Sequence, residues 1–272
     1  MGERDMWKKR FFMGLLLAIL LVGASTVMAG EATNWLKNDV TYSADLNHDG
    51  KAELVRLKTL KSGYIVTGQL VVDGKEIYKL PMPTASMYCK WRIITLSNGR
   101  RFILGYTEGP NPGISRTVLL EYTAKKKVKL HADLSTVFTN YATAQMFSRV
   151  EVPGNNIVLV CSNMTWTCGP VSMNVTYKYQ SGKLKRSYKG EINTTRQFTA
   201  AKAFQSYKKY QSSKKAFVVR SGEKVTFVAY YQKGKQFWMQ LKNASGKKGW
   251  MKGLTYQKGG KSPLFTDGWY AN

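Results

Sequence analysis

The nine residues 45-DLNHDGKAE-53 carry an oxygen-bearing side chain at every second position up to a glycine, and they hold three of the 16 acidic residues of a chain whose formal net charge is +26. As a cation loop, Asp45, Asn47 and Asp49 stand at positions 1, 3 and 5. Lys51 offers a backbone carbonyl at 7, Glu53 closes at 9, and Gly50 permits the turn. Hard cations such as calcium take six to eight oxygens in this manner. An EF-hand would need a bidentate glutamate at position 12, where Arg56 stands. The competing reading is a polar turn closed by its own Asx-type hydrogen bonds. Either way the loop is structural, and His48 between two candidate ligands is expected to point outward.

Other chemistry is poorly supplied. Only His48 and His131 could join Cys89, Cys161 or Cys168 in a zinc site, and neither has ligand spacing. Cys89 and His131 are formally a nucleophile and base, but Cys89 follows an apolar stretch that suits inert burial. Cys161 and Cys168 could close a small disulfide or fill the core. No phosphate-cradling glycine loop is present. The expectation is therefore a protein that is not an enzyme.

The elements that must position the loop read as strands. The runs 64-YIVTGQLVV-72, 91-WRIITL-96 and 171-VSMNVTYKY-179 are followed by Asp-Gly, Asn-Gly or Ser-Gly turns, and 117-TVLLEY-122 is a further run of this kind. Such spacing predicts an all-β fold. The one sizeable helical candidate is 133-DLSTVFTNYATAQMF-147, with Asp133 as N-cap.

The first residues follow a secretory pattern. Lys8, Lys9 and Arg10 precede an apolar run from Phe11 to Val22, and small residues end at Ala29. The expectation is a signal peptide over 1–29, the alternative being an uncleaved anchor, with no transmembrane segment after it. The protein is then secreted or associated with the cell envelope. Residues 192–272 hold sixteen Lys and Arg against Glu223 and Asp267. Such a surface concentrates polyanions. Basic residues interleaved with aromatics, as in 207-YKKYQSSKK-215, could also touch nucleic acid, which export would make incidental.

Two resemblances add to these readings. The segment DLNHDGKAE followed by the strand 54-LVRLKTL-60 resembles the calcium loop of FG-GAP or VCBS-type repeats, which implies a few propeller-blade-like units. The segment 96-LSNGRRFILGY-106 has the spacing of a second copy without acidic ligands, and 150-VEVPGNNIVLV-160 is a weaker third. The segment 221–253 resembles a bacterial SH3-like domain through Gly222-Glu223-Lys224-Val225, Phe237-Trp238-Met239-Gln240-Leu241 and Gly246-Lys247-Lys248-Gly249-Trp250-Met251. The Leu-Asn-Val-Arg stretch common upstream in that family is missing from 198–220. Expected boundaries are a β-rich FG-GAP/VCBS-like domain over 30–191, a small SH3-like barrel over 192–256 and a tail over 257–272. Tyr230, Tyr231, Trp238 and Trp250 are its candidate ligand-binding residues, core packing being the alternative for the two tryptophans. The resemblance implies peptidoglycan or another anionic cell-wall polymer as partner. The alternatives are a wall-targeted enzyme or enzyme inhibitor with a site in residues 30–191, and nonspecific polyanion adhesion.

Overall fold

A computed structural model describes residues 35–62, 65–80, 88–108, 116–256 and 262–268. The expected signal peptide lies outside the described residues, as do Trp269 and Tyr270 of the tail. The fold is all-β, as the alternation predicts. Four strands, β1 (Thr41–Ala44), β2 (Glu53–Ser62), β3 (Ile65–Val72) and β4 (Lys75–Leu80), pair in sequence order. A second meander follows with β5 (Tyr88–Thr95), β6 (Arg101–Glu108), β7 (Arg116–Tyr122) and β8 (Val128–Asp133). A third contains β9 (Ala142–Glu151), β10 (Asn156–Thr165), β11 (Gly169–Gln180) and β12 (Lys183–Arg186). Each is an up-and-down antiparallel sheet, the shape of a propeller blade. The two-residue turns Asp73-Gly74 and Ser181-Gly182 have positive φ at both positions, the hairpin geometry matching the strand twist.

The meanders stack face to face. Val55, Leu57 and Leu70 of the first meet Trp91, Ile103, Val118 and Leu120 of the second in one apolar cluster. The other face of the second meander presents Phe102, Leu104 and Leu119 to Phe147, Ile157 and Leu159 of the third. The middle sheet is thus covered on both sides, so β7 is buried from Thr117 to Tyr122, with Val118, Leu119 and Leu120 as consecutive apolar residues. Trp91 is fully buried because glycines make room for it. A Cβ at Gly105 would lie 2.5 Å from its ring, and one at Gly68 would lie 2.8 Å from its Nε1.

The remaining strands are β13 (Lys189–Asn193), β14 (Phe198–Thr199), β15 (Phe204–Tyr207), β16 (Lys215–Val219), β17 (Lys224–Lys233), β18 (Gln236–Asn243) and β19 (Lys248–Lys252). The boundary expected at residue 192 falls inside β13, which pairs with β11 at Ser172 and Met173 and with β17 from Ala229 to Tyr231. One sheet consequently runs β16-β15-β19-β18-β17-β13-β11-β10-β9. The C-terminal strands, expected as a small barrel, form an open sheet among the described residues, because β13 and β14 occupy the edge of β17 opposite β18. Phe198, Phe227 and Phe265 pack together, which docks Phe265 of the tail on this sheet.

The helix expected over 133–147 is absent. Asp133 ends β8 and takes two hydrogen bonds from the Arg116 guanidinium at 3.0 and 2.6 Å. A 3-10 turn at Leu134–Thr136 follows, then β9. β-branched side chains disfavour a helix here, and Phe138 gains more by burial between Tyr230 and Phe237. All three cysteines are buried free thiols. Cys161 lies opposite Met173, and Cys168 sits at the hairpin tip beside the Thr165 hydroxyl. Burial pushes each thiol up to about 12, which leaves no thiolate at neutral pH. No helix among the described residues is long and apolar enough to cross a membrane.

Candidate binding groove and cation loop

Residues paired across antiparallel strands share a face, so the register of the C-terminal sheet sorts its side chains. One row, Lys189, Tyr231, Trp238 and Lys252, lies across β13, β17, β18 and β19. The next row on that face includes Glu191, Ala229, Gln240, Trp250 and Tyr207. The intervening row, Gly190, Tyr230, Met239 and Met251, supplies the buried side chains Tyr230, Met239 and Met251 to the core. A Cβ at Gly249 would lie 2.5 Å from the Ser206 hydroxyl, so this glycine serves close approach of β19 to β15 rather than a tight turn.

The segment 208–214 between β15 and β16 folds over the outer face. Tyr210 stacks on Tyr231 with ring centroids 3.9 Å apart and meets Trp250 edge-on at 5.4 Å. The Gln211 amide donates to Gln236 Oε1. A groove of about 560 Å3 remains beside this contact, lined by Tyr207, Gln211, Ser212, Ser213, Lys235, Gln236, Trp238 and Lys252. Trp238 is half-buried and stands edge-on to Tyr207 at 6.1 Å and 84°. None of these lining side chains is acidic. Aromatic faces between two ammonium groups and several neutral donors suit a ligand that combines rings with negative charge.

The four predicted ligand-binding aromatics part company here. Trp238 lines the groove. Tyr231 and Trp250 are on the same sheet face but are covered by Tyr210, each 8% exposed. Tyr230 is in the core, where its hydroxyl donates to the carbonyl of Asn174 at 2.8 Å, and burial raises its phenol well above the usual range. Sequence reasoning missed Tyr207, Lys252 and Gln211, which reach the groove only through pairing of β15 with β19 and the path of the loop after it. For Tyr207 and Gln211 the signal is the run 207-YKKYQSSKK-215, where aromatic, amide and cationic residues gather between two strands; Lys252, at the end of β19, had none.

At the other end, Asp45 Oδ1 and Oδ2 accept from the amides of Asp49 and Gly50 at 3.1 and 3.0 Å. Asn47 Oδ1 accepts from the Asp49 amide at 2.9 Å, and Asp49 Oδ1 from the Lys51 amide at 2.9 Å. Glu53 is buried, with Oε2 accepting from the Leu46 amide at 2.8 Å and Oε1 from Asn47 Nδ2 at 2.6 Å. Burial raises the Glu53 carboxyl above its ordinary value; the Leu46 amide opposes this and the charges of Asp49 and Asp45 add to it. The donor set is all oxygen, as a hard cation needs, while the loop as folded is closed by its own hydrogen bonds. Among the described residues no group of three or more His, Cys, Asp or Glu is arranged to hold a metal. His48 is exposed with φ 62° and faces Gly99 of the next loop.

The segments 45–53, 96–106 and 150–160 occupy equivalent places, each joining the first and second strands of its meander, and they touch in succession. Arg101 donates to the carbonyl of Asp45 at 2.9 Å, the Ser97 amide to Gly154 O at 3.2 Å, and the Asn98 amide to Asn155 Oδ1 at 3.1 Å.

One buried polar cluster had no sequence signal. Glu121 takes a hydrogen bond from Arg100 at 2.6 Å on one oxygen, and His131 Nε2 lies 2.7 Å from the other. The contact with His131 holds the Glu121 carboxyl below its ordinary value; burial opposes this, and the charges of His131 and Arg100 assist. These side chains line neither this groove nor the one described below, which fits a structural ion pair on the second meander.

No protein-family model matches the chain, no curated protein matches it, and no solved structure matches its fold.

Proposed function

We propose that this is a non-catalytic binding protein of the cell exterior that attaches to anionic cell-wall polymer, peptidoglycan or its acidic companions, through the groove at Trp238. The observation that carries the reading is the groove itself: the Tyr207 and Trp238 rings with the Lys235 and Lys252 ammonium groups and no acidic lining residue. Aromatic faces contribute contact with sugar rings, and the lysines contribute attraction to phosphate or carboxylate. The blade-like meanders act as scaffold. Calcium at Asp45, Asn47, Asp49 and the Lys51 carbonyl, with Glu53 closing the loop, would tie the entry of β2 and supply no catalysis.

Incubation with insoluble wall material followed by sedimentation tests the reading. The protein is expected in the pellet with no soluble fragments released. Release of fragments would instead favour a wall-directed enzyme. A second reading, general polyanion adhesion, is favoured by the net charge of +26 alone, and it predicts binding that vanishes at moderate salt and does not separate wall polymer from DNA.

A further inference from the structure

A second groove of about 520 Å3 lies on the same sheet beyond Lys189, and its chemistry differs from the first. It exists because β11 changes partner. β13 pairs with β11 only at Ser172 and Met173, β12 takes over from Tyr177, and between them the chain is held by the Ser187 amide on Thr176 O at 2.8 Å. A register shift between Phe227 and Ala229 in β17 falls beside this splay, and the small side chain of Ala229 leaves the space open. Its walls carry both signs of charge: Lys178 and Lys189 with Glu151 and Glu191, flanked by Asn174 and Ser187.

These charges are not spent on one another. Glu151 is paired with Arg149 at 2.8 Å, and Glu191 takes a long hydrogen bond from Asn174 at 3.4 Å. No ion pair joins Lys178, Lys189 or Glu191 to any partner among the described residues. The Lys189 ammonium stands 5.0 Å over the Tyr210 ring, whose neighbour Gln211 lines the aromatic groove.

We propose that this second groove is a binding site for a zwitterionic group, a short peptide or amino-acid substituent with a free ammonium and a free carboxylate. The ammonium faces Glu191, and the carboxylate faces Lys178 and Lys189. Its service as an extension of the polymer site rests on the reading of the Trp238 groove; its affinity for a free zwitterion does not. Exposed charge pairs are weak individually, so a small probe binds in the millimolar range.

The test is a titration of the isotopically labelled full chain with the dipeptide Ala-Ala, followed through the backbone amides of Ser187, Gly190 and Glu191. Saturable shifts at these amides are expected, and the N-acetylated and C-amidated dipeptides should each bind more weakly, by up to about fivefold, the scale of one lost charge contact. Glu191→Gln should remove the preference for the free amine, and a Lys178→Gln/Lys189→Gln pair the preference for the free carboxylate. Absence of shifts at these amides, or equal binding of the blocked dipeptides, would overturn the site. Failure of wall polymer to bind while Ala-Ala still does would remove the polymer reading and leave this one standing.

Discussion

The Tyr230 hydroxyl donates to the backbone carbonyl of Asn174 at 2.8 Å, and this bond spans the place where the third meander passes into the C-terminal strands. Gly190 lies between them, since a Cβ there would be 2.3 Å from the same carbonyl and 2.4 Å from the Tyr230 ring. The sheet that carries both grooves is continuous because a glycine and a buried phenol fit this junction.

Tyr230→Phe should lower stability by about 1–3 kcal/mol, since the carbonyl of Asn174 loses a buried donor. Urea unfolding should show a lower midpoint with an unchanged slope. An unchanged midpoint would mean that water replaces the hydroxyl without loss and the junction does not depend on it.

A methyl group at Gly68 would lie 2.1 Å from Cys89 Sγ and 2.8 Å from Trp91 Nε1. Gly68→Ala should therefore destabilise by about 1–3 kcal/mol through overpacking. Cys89→Ala removes the nearer obstacle, so the double variant should be more stable than the sum of the single effects, as read by a double-mutant cycle. Strict additivity would contradict the packing described between the first two meanders.

The Glu121 carboxyl is held below its ordinary value by His131 and Arg100. Its unfolded value is about 4.3, so its contribution to stability is present above that pH and is lost as pH falls through the depressed folded value. Glu121→Gln should flatten the acid limb of the stability profile and should also be less stable near neutrality. An acid limb identical to that of the parent would place the ion pair outside the stability balance.

Calcium should raise the thermal midpoint of the chain more than magnesium does, and chelation or Asp49→Ala should abolish the rise. Equal melts in calcium and chelator would leave 45–53 as a turn closed by the hydrogen bonds of Asp45, Asn47 and Asp49.

Much of the strand content was legible because alternation and Asp-Gly or Ser-Gly turns report local geometry. In 54-LVRLKTL-60 the inward Val55 and Leu57 alternate with the outward Arg56 and Lys58, although Leu54 and Leu60 lie on the exposed face at 50% and 48% exposure. Residues 133–147 misled because Asp133 has a partner seventeen residues earlier, in Arg116, which no local pattern announces. The groove was half legible. Trp238 could be named from its strand, but alternation alone does not distinguish Tyr230 facing the core from Tyr231 facing out until the pairing with β13 and β18 is known. The second groove was not legible at all, since it arises from a partner exchange along β11.

The central claim is that wall polymer is held at the Trp238 groove. The most direct measurement is the affinity of the full chain for purified anionic wall polymer at physiological salt, with DNA as competitor, compared between the parent, Trp238→Ala and Lys252→Gln after unfolding curves have shown that both variants are folded. The account predicts binding that survives DNA competition, falls at least about tenfold in Trp238→Ala, as loss of an aromatic anchor implies, and loses part of its salt dependence in Lys252→Gln. Binding by folded Trp238→Ala at the parental affinity, or binding that DNA displaces completely, would contradict it.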